Sequence, residues 1–498
     1  MKNLGFALSL IALCFCVACG GGSSTAPGGG GPTPQGTFSN ASLSGTYVYQ
    51  LRGTDFSNSG ADFREAGVFV ADGNGNITSG EDDFEEVSFG LSHTTVTGSY
   101  GIRNDGIGVA NLNLSSGTFL TLAIGMVNTG RAQITEFDTF ATGAGSMLKQ
   151  DTTVASQIPN GTFTYRFHTA AGFFATTSTS SAGTMTIAGG VAAGTEDLLS
   201  SSLVTSPAVT AAFNTPDASG RGTGTLSDPS TSSFVYYVVD SSTVHFISND
   251  LGIIGLGTAE KQSGAPFGNA SITGNYTFGV RADTNLPGFG TDGSGTVGQF
   301  VADGAGAITG GAYDSVQGGT TASNVALTGT YNLASNGRGT LSLTSTSGTT
   351  QQIFWMVSNG QGYLLTDDPS KVEDGAFNTQ LSSAFANSTL TGQLAFITHG
   401  YNTTDTYDRV GTLIPDGNGG LRLTYLLNRS GFLSLDGSGN AATISLTGTY
   451  SVASNGRVTG SVSTLSNNLV FYLRSGNDGE ILQADTGTEI NGGMSKQQ

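Results

Sequence analysis

Four side chains that carry or can take up positive charge recur at one place in this sequence. Arg52, His168, Arg281 and His399 each follow the first large residue of a repeated motif (Tyr47, Phe163, Tyr276, Leu394) by five positions. Alignment on Gly80, Gly194 and Gly311 also matches three acids, Asp83, Asp197 and Asp314, with Leu427 in the fourth place. In a chain with only 18 Lys plus Arg, an acid and a base kept in three copies suit one chemistry. They would line the mouth of a folded copy and orient a polar ligand by charge-assisted hydrogen bonds. The structural alternative is a set of ion pairs or solvated side chains. Parity bears on the choice: Arg52 alternates with Tyr47, Tyr49 and Leu51, so if those large groups fill an interior, Arg52 points outward.

Other chemistry finds little support. The four histidines, His93, His168, His245 and His399, show no HExxH and no paired metal spacing, and no cysteine follows Cys19. Ser294 and Ser438 lie between glycines in turn-like surroundings rather than in a strand-to-helix nucleophile elbow. Asp72-Gly73-Asn74-Gly75-Asn76 places oxygens at alternate positions as a calcium loop does. Copy three, however, reads Asp303-Gly304-Ala305-Gly306-Ala307, keeping the glycines and losing the ligands, so turn geometry explains the motif. The chain is read as non-catalytic, with no metal and no cofactor.

The elements that must position these residues are strands. Four markers recur in fixed order, beginning at Gly45-Thr46-Tyr47, Gly161-Thr162-Phe163, Gly274-Asn275-Tyr276 and Gly392-Gln393-Leu394, and the spacing is domain-sized. Large apolar groups fall on every second residue, as in Tyr47 to Arg52, which is the strand period. Asp-Gly and Asn-Gly pairs supply tight hairpin turns. About eight strands per copy, with no helical stretch between them, predict an all-β chain of tandem antiparallel β-barrel-like domains at 41–151, 152–266, 267–381 and 382–498, with β-sandwiches as the alternative. Copy two has the poorest markers, Val191-Ala192-Ala193 following Gly189-Gly190 where the others have Asp-Gly. Leu43-Ser44-Gly45-Thr46-Tyr47 faintly resembles the Gly-x-Trp opening of lipocalin and avidin barrels, an analogy of architecture only.

At the N-terminus, Lys2, an apolar stretch from Leu4 to Val17 and small residues have the layout of a signal peptide, 1–18. Cys16-Val17-Ala18-Cys19 resembles the lipobox of bacterial lipoproteins. That resemblance implies cleavage before Cys19, acylation (palmitate among the acyl chains) and anchoring to a membrane; Gly20, in place of Asp, favours the outer membrane or cell surface, with a periplasm-facing orientation also open. Residues 19–40, rich in Gly, Ser and Pro, form a tether. The tandem layout also resembles repeat-bearing bacterial lipoproteins without assigned activity. A formal net charge of −18 argues against nucleic-acid partners. What remains is a surface binding or adhesion module, for a glycan or an envelope protein, or a structural spacer, with carriage of a small apolar ligand in a hollow barrel as the alternative.

Overall fold

The computed structural model describes residues 36–498 except 172–176, 201–202, 229, 283–293, 369–371 and 403. Cys19 and the rest of the signal and tether up to residue 35 lie outside the described residues. The chain forms four closed, eight-stranded antiparallel barrels in tandem, spanning Ser44–Lys149, Gly161–Lys261, Thr273–Thr379 and Leu394–Lys496. Each barrel is an up-and-down meander whose first strand pairs with both its second and its eighth. In barrel 1, Tyr47 lies opposite Phe69 on one side and Lys149 on the other. Barrels 2 and 4 add a short strand, Leu203–Thr205 and Phe432–Leu433, folded back on the third strand of the ring.

Alternation fixes what lies inside. Tyr47, Tyr49 and Leu51 of the first strand point into barrel 1 with Phe63 and Phe69, and the stack of Tyr47 on Phe69 is matched in barrel 3 by Tyr276 on Phe300. Aromatic and aliphatic groups pack all four interiors.

The repeated markers have local causes. Gly45, Gly161, Gly274 and Gly392 hold φ between 88° and 119°, which side-chain-bearing residues rarely adopt. The Asp of each Asp-Gly turn accepts backbone amides: Asp72 from Asn74 and Asn76, Asp303 from Ala305 and Ala307, Asp416 from Asn418 and Gly420. These bonds, with the Asn76 side chain, hold the exposed Asp72 carboxyl down at about 2. The second aromatic ties down the chain's entry. Tyr100, Tyr331 and Tyr450 donate to carbonyls of the 3₁₀ turns at Asn40–Ser42, Asn269–Ser271 and Asn387–Thr389 or to the residue that follows each. Copy two has Phe213 there and no such 3₁₀ turn before its first strand, so the hydroxyl and its acceptor are lost together. Its barrel closes all the same, because Gly189 and Gly190, at φ 59° and 85°, make the hairpin that Asp-Gly makes elsewhere.

Candidate functional site

The barrels meet in cyclic order, one with two, two with three, three with four and four with one. At three joints the contact is the same triad. Arg221 of barrel 2 grips Asp83 of barrel 1 with two hydrogen bonds of 2.7 and 2.8 Å, and Tyr237 donates to the same carboxylate. Arg338 and Trp355 of barrel 3 treat Asp197 likewise, as do Arg457 and Tyr472 of barrel 4 with Asp314. All three aspartates are fully buried. Bidentate pairing with a further donor is what makes a buried carboxylate tolerable.

The fourth joint replaces the whole triad. Pairing registers put Ala66 opposite Asp83, Ala182 opposite Asp197, Val297 opposite Asp314 and Val410 opposite Leu426, so the fourth-copy counterpart of the acids is Leu426 rather than Leu427. The arginine position becomes Ile107 and the aromatic position Gly125, opposite each other as Arg221 and Tyr237 are. Ile107 and Leu426 share an apolar cluster with Val410, Ala123 and Phe137, and a Cβ on Gly125 would stand 2.8 Å from Val410. A second set of contacts runs round the complete circle. The side-chain amide of the glutamine after each eighth strand (Gln150, Gln262, Gln380, Gln497) donates to carbonyls of the next barrel, and Gln497 closes the circle on Asp105 and Met126 of barrel 1.

The ring of four barrels lines a partly open central chamber of about 470 Å³ to which every barrel contributes. The first strands face it. Arg52, His168, Arg281 and His399 all line it, one from each barrel, pointing outward from their own interiors. Arg64, Arg131, Arg166 and Arg474 join them. Six arginines and three carboxylates, Asp374, Asp478 and Glu480, line it, and the recess that adjoins it through Arg52, Arg64 and Arg281 adds Asp62 and Glu489. The field reaches the acids. Burial raises Asp374, yet the hydrogen bond from His168 and the charges of His168, Arg166 and Arg52 outweigh it and hold the carboxyl at about 2. Burial pushes Glu480 up, against the pull of Arg474 and Arg281. His168 Nδ1 lies 2.7 Å from Ser180 Oγ and 3.6 Å from Asp374, and His399 Nδ1 lies 2.5 Å from Asp408. Arg166 sits over the ring of Tyr363 at 5.2 Å. Arg474 is engaged by Asp478.

The structure thus separates the two halves of the sequence-derived constellation. The four bases come together, in a space between barrels rather than at a barrel mouth; Asp83, Asp197 and Asp314 lie in the joints, each on an arginine of the following barrel. Arg64, Arg131, Arg166 and Arg474 escaped the sequence reading because they do not recur at matched positions. No protein-family model and no curated protein matches the chain. Among the described residues, no group of three or more His, Cys, Asp or Glu is placed to hold a metal ion. The chamber's donors are instead guanidinium and imidazole N–H groups, which bind anionic or strongly polar oxygens.

Proposed function

We propose that the protein is a lipid-anchored, extracytoplasmic, non-catalytic binding module whose ligand occupies the central chamber. The observation that carries this reading is that four residues matched by repeat position, one per barrel, converge on a single space. Gathered there with the acids Asp374, Asp478 and Glu480, they offer a polar ligand hydrogen-bond donors from every barrel. A volume of about 470 Å³ is in the range of small-molecule sites. Packed barrel interiors give the apolar-carrier alternative no room of the kind it requires. The lipobox-like Cys16 to Cys19 supports the anchor and, with it, placement at the outer membrane or cell surface.

Two experiments test the reading. Labelled palmitate should enter the wild-type protein and not Cys19→Ser. Native mass spectrometry of protein purified gently from its own envelope should show one small molecule retained, and lost from the Arg52→Gln, His399→Ala double variant. Incorporation of label in Cys19→Ser rejects the anchor. A retained molecule that survives the chamber substitutions rejects the site.

A further inference from the structure

We propose that the molecule touches a lipid bilayer with one end of barrel 1, where the rings of Phe119, Phe140 and Phe432 enter the hydrocarbon of a membrane whose surface carries no net charge. Hairpins alternate between the two ends of a meander, so the turns of barrel 1 at 56–60, 87–89, 115–118 and 137–140 share the end at which its first strand finishes. Phe119 and Phe140 stand there, 55% and 50% exposed, with their rings 6.1 Å apart. Phe432, 74% exposed, comes from barrel 4 at the same end: a Cβ on Gly431 would stand 2.7 Å from the Thr139 carbonyl oxygen, and Thr142 and Thr406 meet across the joint at 3.0 Å. The rings are held firmly. The side-chain amide of the buried Asn428 donates to the carbonyls of Glu136, Asp138 and Ala141 at 3.0, 3.2 and 2.8 Å, and the Asp138 carboxylate accepts the amides of Phe140 and Ala141. Two barrels thus hold three aromatic rings out in water, and an apolar patch built in this way marks a surface of contact.

Charge identifies what they contact. In those four turns every exposed residue is Ser, Thr, Gly or Phe. Glu86, Glu136 and Asp138 are buried, and Asp55 turns its carboxylate onto the amides of Ser57 and Asn58. Beside Phe432, Arg429 is balanced by Asp405 at 3.0 Å. A chain of net charge −18 therefore presents its rings from turns that expose no charge, whereas the opposite end of barrel 1 carries Asp72 and Arg103. Neutral hydroxyls around projecting aromatic tips match the interface of a zwitterionic bilayer, and the acidity of the whole chain opposes approach to an anionic one. Shape favours lipid over protein. The rings form a ridge rather than a groove, and hydrocarbon accepts a projecting tip without a matching pocket, which a protein partner would have to supply. The tether also has the reach. The folded part begins beside Asn104, at the opposite end of barrel 1, and the 17 residues from Cys19 to Gln35 span about 60 Å when extended. The 12-residue first strand is about 40 Å long, so an anchor at Cys19 would let the aromatic end reach the same membrane; the contact itself does not depend on the anchor.

The test is flotation of the full-length Cys19→Ser protein, which has no anchor, with vesicles of phosphatidylcholine alone and with added phosphatidylglycerol, at low salt and at high salt. Phe140→Ser, Phe432→Ser and the triple variant Phe119→Ser, Phe140→Ser, Phe432→Ser are compared with Leu381→Ser, which removes an exposed apolar side chain at the opposite end of the ring. Circular dichroism confirms the fold of each variant. The expected result is binding to phosphatidylcholine that salt leaves unchanged and phosphatidylglycerol weakens. Each single Phe→Ser change should lower the partition coefficient about tenfold, the effect of withdrawing part of one aromatic ring from hydrocarbon. The triple variant should not float, and Leu381→Ser should bind as its parent does. No flotation with either vesicle, or undiminished flotation of the triple variant, would overturn the proposal. Binding that needs phosphatidylglycerol and disappears in salt would overturn it by assigning the contact to charge. A dimer in sedimentation velocity that is lost in the triple variant, with no vesicle bound, would overturn it by making the ridge an interface between two copies. Palmitate labelling of the wild-type protein reads the anchor separately, so the two membrane readings fail independently.

Discussion

At the scale of single residues, the triads at the joints behave as sets. Asp83→Ala would leave Arg221 largely buried beside a hole, and loss of one partner of a buried pair costs about 3–5 kcal/mol. The fourth joint supplies the compensated alternative: Asp83→Leu with Arg221→Ile and Tyr237→Gly copies the residues found there and should recover most of that loss in urea titrations. Acidity gives a second prediction. Burial lifts Asp82 to about 7, Glu196 to about 8 and Glu85 to about 9, and raises Glu65 and Glu136 as well. Unfolded, these carboxyls ionise near about 4, so across the window up to about pH 9 the folded state keeps protons that the unfolded state has released, and stability falls as pH rises. His245, pushed down to about 4 by burial and by Arg166, acts in the opposite sense below about pH 6.5. Asp374, held at about 2, contributes stability that is complete above the usual aspartate range and is lost only as pH falls toward 2. Five raised carboxyls outweigh the one histidine, so scanning calorimetry should find the highest melting temperature at about pH 4 and a steady decline to about pH 9, shallower below about pH 7 in Asp82→Asn.

Among elements, the tyrosine that anchors each 3₁₀ turn is the most separable device. Tyr331→Phe keeps the ring and removes donation to Asn269 and Ile272. It should lower stability by about 1 kcal/mol in denaturant melts, and Tyr450→Phe likewise. Strands, barrel count and hairpin glycines were legible in the sequence because each depends on local rules, the two-residue period and positive φ. Parity also indicated that Arg52 points outward. The meeting of those outward groups in one chamber was not legible, since it follows from how barrels pack and not from any one strand. One signal pointed to that packing. Arginine follows the turn glycine in copies two, three and four (Arg221, Arg338, Arg457) and aspartate recurs in copies one, two and three (Asp83, Asp197, Asp314). The copy lacking the base is the first and the copy lacking the acid is the last, which is the pattern left when each copy pairs with the next and the closing joint is built differently. A within-copy alignment reads the same residues as acid–base pairs inside a domain, and so misplaces them.

For the whole molecule, every barrel buries two faces, one against each neighbour, and four head-to-tail contacts close without a free end. The joints are fully packed polar or apolar contacts, so the barrels are not beads on a string. Heating should give one cooperative calorimetric transition. Removal of residues 381–498 should lower the melting temperature of what remains, because it uncovers Asp314 on barrel 3 and the Ile107 surface on barrel 1 at once.

Gln497 performs for barrel 1 what Gln150, Gln262 and Gln380 perform for their successors, yet no peptide bond joins barrel 4 to barrel 1. Backbone continuity is thus dispensable at a joint, and the order in which the copies are read is a matter of where the chain was opened. Circular permutants begun at any of the other three joints should fold to the same ring. Two half-chains divided after Gln262, co-expressed, should find each other and reassemble as a heterodimer, detectable by size-exclusion chromatography with both halves in one peak.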